Sequence, residues 1–251
     1  MKKGFTIIEV LLFLSISAMI VMGIIIGTST SIDQQRYEDS VQNFAEHMRT
    51  VYSNVNNPKG LDSGNGGGRS DKAIYGKLVT FGENKSNNPD QRIFIYDVIG
   101  DADSQSVSGN AIMALKNLKA DVIKKDSGSN AATFTNAEGF LLNWDAKVQK
   151  TNKESLKAAI LIVRSPLSGT TYTYVMKDAT VEVQEALKAN AGNVLLPLLD
   201  NFKAEDLDMC IAPEGYTVYG GKRRDVRVFA NTHDSSGVGL ISLDSSDNKC
   251  E

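Results

Sequence analysis

Residues 1–27 read MKKGFTIIEVLLFLSISAMIVMGIIIG. Lys2 and Lys3 precede Gly4, and from Phe5 to Gly27 the run is apolar with Glu9 as its one charge. At about 1.5 Å of helical rise per residue the run extends about 34 Å, against about 30 Å of hydrocarbon in a bilayer. The segment is long enough to cross a membrane. With the basic pair in front and no further Lys or Arg until Arg36, the charge bias places Met1 in the cytoplasm and exports the rest. Glu9 needs a reason, because a carboxylate inside a membrane segment is costly and usually has a partner. The dipole of a first helical turn favours it there, which accounts for its tolerance but not for a use. Cleavage after Gly4 would place a new amine on Phe5, four residues from Glu9, and so supply an ion pair.

The string GFTIIEV after a short basic leader resembles the processing motif of type IV prepilins and of the pseudopilins of type II secretion and competence systems. The resemblance implies a membrane peptidase that cuts after Gly4 and methylates Phe5. It also implies that Glu9 neutralises the terminal amine of a neighbouring subunit as a filament assembles. The similarity covers about the first 55 residues. Many type IVa pilins carry a proline late in the apolar half of the helix, whereas this chain has none before Pro58. Gly23 and Gly27 stand there instead, each costing a helix about 1 kcal/mol relative to Ala. The competing reading is an ordinary secretory signal peptide. Against it stand the length of the run, the internal glutamate and the lack of a clear A-x-A site.

Beyond Gly27, residues Tyr37, Val41, Phe44, Met48, Val51 and Val55 recur at spacings of four and three, the stripe of an amphipathic helix. Asn56, Asn57, Pro58 and Gly60 then stop it. One helix of about 50 residues is expected, apolar all round in residues 5–27 and one-sided in residues 28–57, with His47 on its solvated flank. GLDSGNGGGRSD, residues 60–71, reads as a loop leaving that helix.

Strands are expected at 73–81 and 92–99 as a hairpin with a long loop. A helix is expected over NAIMALKNLKADVIKK, with Ile112, Leu115 and Val122 in register. Phe140, Leu142 and Trp144 alternate as in a strand, which makes Trp144 a core residue. AAILIVR (158–164) and TTYTYVMK (170–177) form the clearest hairpin. Residues 178–192 are capped like a helix, although TVEV also suits a strand. EGYTVYG and KRRDVRVFA meet at Gly220 and Gly221 as a tight hairpin, and GVGLISL (237–243) adds a last strand. A long helix followed by an antiparallel sheet is α+β, the arrangement that the pilin resemblance also implies.

The 251 residues suit one head domain over 58–251 after a four-residue leader and the two halves of the helix. The net charge of −3 gives no ground for bulk electrostatic binding to nucleic acid. Both cysteines, Cys210 and Cys250, lie on the exported side, where oxidation is permitted. A bridge would close a loop of about 40 residues, contribute about 4 kcal/mol in a chain-entropy treatment and pin the C-terminus. A disulfide bounding 210–250 resembles the D-region of many type IV pilins; the alternative is a pair of unlinked thiols.

No catalytic set emerges, and the chain is read as a non-enzyme. His47 and His233 are the two histidines, too few for a multi-histidine metal site. GYTVYGGKR departs from the phosphate-binding fingerprint by an extra glycine and by Arg223 where a hydroxyl belongs. SSDNK near Ser246 and Lys249 lacks the K-T-G element of penicillin-recognising enzymes. Asp200, Glu205, Asp206 and Asp208 crowd before Cys210, and Asp244 and Asp247 lie near Cys250. A bridge would bring these groups together, so Asp206, Asp208, Asp244 and Asp247 are the calcium candidates, although no stretch matches a calcium loop, including DADSQSVSG at 101–109. No other cofactor is expected. Lys222, Arg223, Arg224 and Arg227 are the candidates for an exposed basic patch that grips DNA or a surface, although alternation divides them between two faces and Asp225 dilutes one. A neutralising contact with an acidic neighbour competes with that reading.

The resemblance therefore implies a structural subunit, with a minor type IV pilin as the leading reading and a pseudopilin as the alternative. Its partners would be other subunits through the N-terminal helix, the prepilin peptidase and methylase, and a membrane assembly platform. It would sit in the cytoplasmic membrane as a single-pass precursor and then in a surface or envelope-spanning filament. A membrane-anchored extracytoplasmic binding or adhesion module is the alternative of another class.

Overall fold

The computed structural model describes residues 6–57, 72–81, 92–101, 112, 115, 121–122, 138–165, 168–177, 196–213, 219–230 and 232–250. Expectations for Gly4, Phe5, the 60–71 and 101–109 loops, most of the 110–125 helix, 178–192 and 214–218 lie outside these residues, except Asp101 of the second loop, which ends a strand.

One helix, α1, runs from Ile7 to Asn56. Its buried residues begin at Tyr37 and include all six of the expected stripe, with Ser40, Ala45 and Tyr52 beside them. The stripe exists because residues three and four apart share a helix face. Ahead of it, the large apolar side chains from Ile7 to Ile26 are exposed.

Among the described residues, ten strands make two sheets. The first has the order β3-β2-β1-β6-β7, from Lys72–Phe81 (β1), Arg92–Asp101 (β2), Asp121–Val122 (β3), Ala158–Arg164 (β6) and Thr171–Lys177 (β7). Glu138–Leu141 (β4) also pairs with β2. The second has the order β10-β9-β8-β5, from Lys147–Gln149 (β5), Leu207–Ala212 (β8), Arg224–Val228 (β9) and Val238–Ile241 (β10). Every named pairing is antiparallel.

The run AAILIVR is buried on both faces of the first sheet, which is why it reads as continuously apolar rather than alternating. Ala158, Ile160 and Ile162 join Val79, Ile93 and Ile95 in the core shared with α1. Ala159, Leu161 and Val163 face a second core with Leu78, Tyr96, Leu115 and Leu199. The second sheet sends Met209, Ile211, Val226 and Val228 into the core that holds α1, so both sheets cover the helix. Two phenols pin that arrangement. Tyr37 Oη donates to the Ile211 carbonyl at 2.8 Å and accepts the Arg224 N–H at 2.7 Å, tying α1 to the second sheet. Tyr52 Oη shares a 2.8 Å hydrogen bond with Thr173 Oγ1, tying it to the first.

A bulge interrupts β1 between Ile74 and Gly76. At Gly76 an added Cβ would stand 2.3 Å from the Ile162 carbonyl oxygen, so the close approach of β6 requires glycine.

Several expectations need correction. Trp144 is not core: β4 ends at Leu141, and the indole lies half exposed in a turn beneath Arg36. His47 is not a solvated flank residue, because its ring is half-buried and stacks on Phe140 with centroids 4.0 Å apart. Val122 belongs to β3, paired with Val98, and not to a helix. Gly220 and Gly221 do adopt left-handed φ values of 67° and 87°, but β9 pairs with β8 and β10. The acid-rich segment before Cys210 is thus partly a central strand.

Candidate functional site

The N-terminus of α1 is capped by its own sequence. Thr6 Oγ1 accepts the Glu9 N–H at 3.3 Å, and Glu9 Oε2 accepts the Thr6 N–H and the Thr6 hydroxyl, each at 3.0 Å. This is a reciprocal capping box, which satisfies donors that a helix start leaves without partners. Glu9 therefore has a partner within the chain. The spacing Thr6-x-x-Glu9 is the signal of this cap in the sequence. Gly4 and Phe5 are outside the described residues.

From Ile7 to Ile26 α1 exposes isoleucine, leucine, valine, methionine and phenylalanine on every side, and among the described residues no part of the head covers them. The helix is long and apolar enough to cross a membrane, with one such helix among the described residues. Hydroxyls within it bond to the helix itself: Ser15 to the Leu12 carbonyl at 2.9 Å, and Thr28 to that of Ile24 at 2.9 Å. Backbone acceptors take them, so they need no water.

At the far end of the molecule Cys210 and Cys250 form a disulfide with a Cα–Cα separation of 5.4 Å. Cys210 lies on β8 opposite Asp225 on β9. Both sulfurs are in buried residues, and the bridge fastens the C-terminal segment over the second sheet.

The basic run beside it is not an exposed patch. Arg227 is ion-paired through Nε to Asp208, and through Nη2 to Asp225 at 2.9 Å and the Asp247 carbonyl at 2.8 Å. Arg223 is buried and donates to the Lys150 and Thr151 carbonyls at 3.0 and 2.8 Å. Arg224 pairs with Glu38 of α1 at 2.7 Å. Lys222 alone of the four stands in solvent, 3.6 Å from Asp244. Alternation along β9 puts Arg224 and Arg227 on opposite faces, and Glu38, Asp208 and Asp225 of the same chain neutralise them.

Of the four acids considered for calcium, Asp206 and Asp208 are engaged, while Asp244 and Asp247 are exposed. Asp208 also accepts from Lys249 at 2.9 Å, and Asp206 accepts the Ala230 N–H at 2.7 Å. Among the described residues no three His, Cys, Asp or Glu side chains converge as a metal site would need. Burial raises the Asp208 carboxyl, but hydrogen bonds from Lys249 and Arg227 outweigh it and hold it below its ordinary range. Asp225, wholly buried, is pushed up to about 6 by desolvation and by the charge of Asp208, with Arg227 pulling the other way. Burial likewise raises the Tyr37 phenol, which stays protonated and able to donate.

A cleft of about 270 Å³ opens between the sheets, lined by Lys150, Lys157, Lys177, Leu207, Asp206 and Asp208 among others. Lys177 is paired with Glu205 at 3.1 Å. The lining supplies charge of both signs but no histidine or thiol to act as base or nucleophile. His233 is elsewhere, its Nδ1 2.7 Å from the Thr171 carbonyl.

Comparison with protein-family models, with curated proteins and with solved structures finds no match.

Proposed function

We propose that this chain is a non-enzymatic structural subunit of a filament of the type IV pilin kind, most simply a minor pilin. It is made as a single-pass membrane precursor and trimmed after Gly4. The observation that carries the reading is the division of α1. From Tyr37 on, one face of its second half is buried against two sheets, while its first half presents apolar surface in all directions behind the sequence MKKGFTIIE. Such a surface needs lipid or copies of itself, since apolar area left in water costs about 25 cal/mol per Å².

In the membrane the acyl chains cover it, and the capping box keeps Glu9 hydrogen-bonded. On assembly, neighbouring helices take the place of lipid. The Phe5 amine freed by cleavage then gives the Glu9 carboxylate an opposite charge from the next subunit, which fixes their relative height. The bonds from Thr6 to the carboxylate are already charge-assisted; what the amine adds is a full opposite charge, whose attraction grows once the site is dry.

The test is the presence of the chain in sheared surface filaments from cells producing wild-type protein, Glu9→Ala or Glu9→Gln. Wild-type filaments with neither variant incorporated, at equal precursor levels, are expected. Incorporation of both variants at wild-type yield would overturn the assignment of Glu9.

A further inference from the structure

Trp144 is the chain's single tryptophan. It is 49% exposed, and Leu141, just ahead of the same turn, is 53% exposed. Trp144 and Asp145 take left-handed φ values of 58° and 53°, a conformation that residues other than glycine seldom adopt. The turn is docked to α1 in two places. Ser40 Oγ donates to the Asn143 carbonyl at 3.0 Å, and the Arg36 guanidinium carbon lies 4.9 Å from the indole centroid. Trp144 is thereby held at the level of Arg36 to Ser40 along the helix.

That level can be measured against a bilayer. No charged residue lies between Glu9 and Asp33. The uncharged stretch from Val10 to Ile32 rises about 34 Å, close to the roughly 30 Å of a hydrocarbon core. Arg36 is four residues further on, about 6 Å by the same rise, which falls within a headgroup layer of about 5–8 Å. An indole, with an apolar body and one N–H, favours that layer, as does an arginine whose stem lies in apolar surroundings. Arg36 is also 3.7 Å from Asp33, and exposed Asp145 follows Trp144, so the local charge has no positive excess and suits a zwitterionic headgroup better than a strongly anionic one.

We propose that the Trp144 turn is a membrane-interface contact. In the inserted chain, the Trp144 indole and the Arg36 guanidinium lie among zwitterionic phospholipid headgroups and set the depth and tilt of the head. The inference rests on α1 being membrane-spanning. Leaving the bilayer for a filament would require this contact to break, so the turn holds the precursor in place until it is extracted.

Because Trp144 is the single tryptophan, emission excited at the red edge of the indole band, where tyrosine does not absorb, reports on this turn alone. The experiment reconstitutes the full chain into phosphatidylcholine vesicles, establishes insertion by flotation, and compares quenching by lipids carrying a nitroxide on the headgroup or at mid-acyl depth. Loss of most of the emission with the headgroup label, with less loss from the deeper label and reduced access to acrylamide, is the expected result. A chain that floats with the vesicles but is quenched by neither label overturns the contact while leaving the membrane span intact. Protection from acrylamide without quenching by lipid also overturns it and assigns the turn to a second copy of the chain. A chain that does not float removes the span and the contact with it.

Discussion

Glu9 caps α1, and in the proposed filament it would also meet a neighbour's amine, two roles that a single substitution would confuse. Alanine removes both the capping acceptor and the charge, whereas glutamine keeps an acceptor for the Thr6 N–H and loses only the charge. Thr6→Ala is expected to weaken the helix start by about 1 kcal/mol while filament yield stays near wild type, measured on sheared fractions. Glu9→Gln is expected to abolish yield with the helix start kept. Asp225 offers a second residue-level prediction. Its folded-state value of about 6 lies above the ordinary 3.8. Between these values the folded state therefore holds more protons than the unfolded one, and this group's contribution to stability falls as pH rises. Its cost is fully present above about pH 6 and gone below the ordinary value. Denaturant midpoints should rise as pH drops from 7.5 towards 5, and Asp225→Asn should flatten that slope. An unchanged slope in the variant would mean that another group is responsible. Arg227 and Asp225 also show what sequence alone hides: Asp225 reads as an acid diluting a basic patch, whereas strand pairing turns both side chains towards Asp208 and the C-terminal segment.

At the level of elements, α1 was legible because its periodicity is strong and uninterrupted, and the 158–164 and 171–177 hairpin because both runs are dense in β-formers. β8 was not, although Leu207, Met209 and Ile211 alternate as a strand should, because the acids around them read as a loop. Trp144 went astray for a related reason. Its alternation with Phe140 and Leu142 is real, but β4 ends at Leu141 and the chain turns before the indole can point inward. The join between α1 and the sheets is testable by packing. Phe44→Ala is expected to cost about 3–5 kcal/mol in denaturant unfolding, since the ring is wholly enclosed. Gly76→Ala is expected to cost about 1–3 kcal/mol, through the contact it forces with the Ile162 carbonyl. A neutral Gly76→Ala would show that the bulge adjusts freely.

For the molecule as a whole, the division between an enclosed head and a bare apolar helix organises everything else. The disulfide between Cys210 and Cys250 closes the head at its C-terminus, and replacing both cysteines by alanine should lower stability by about 2–5 kcal/mol in the chain-entropy range. Compartment and spacing made that bridge an expectation, but the ionic cluster around it depends on contacts between residues far apart in the chain, which no local pattern records. The motif that carries the pilin resemblance, by contrast, is written in seven consecutive letters, GFTIIEV. The account turns on what happens to those letters in the cell. The most direct measurement is the intact mass and N-terminal residue of the protein recovered from cells. A chain beginning with a methylated Phe5 is the expected result; one that still begins at Met1, or that starts beyond Gly27, would contradict the account.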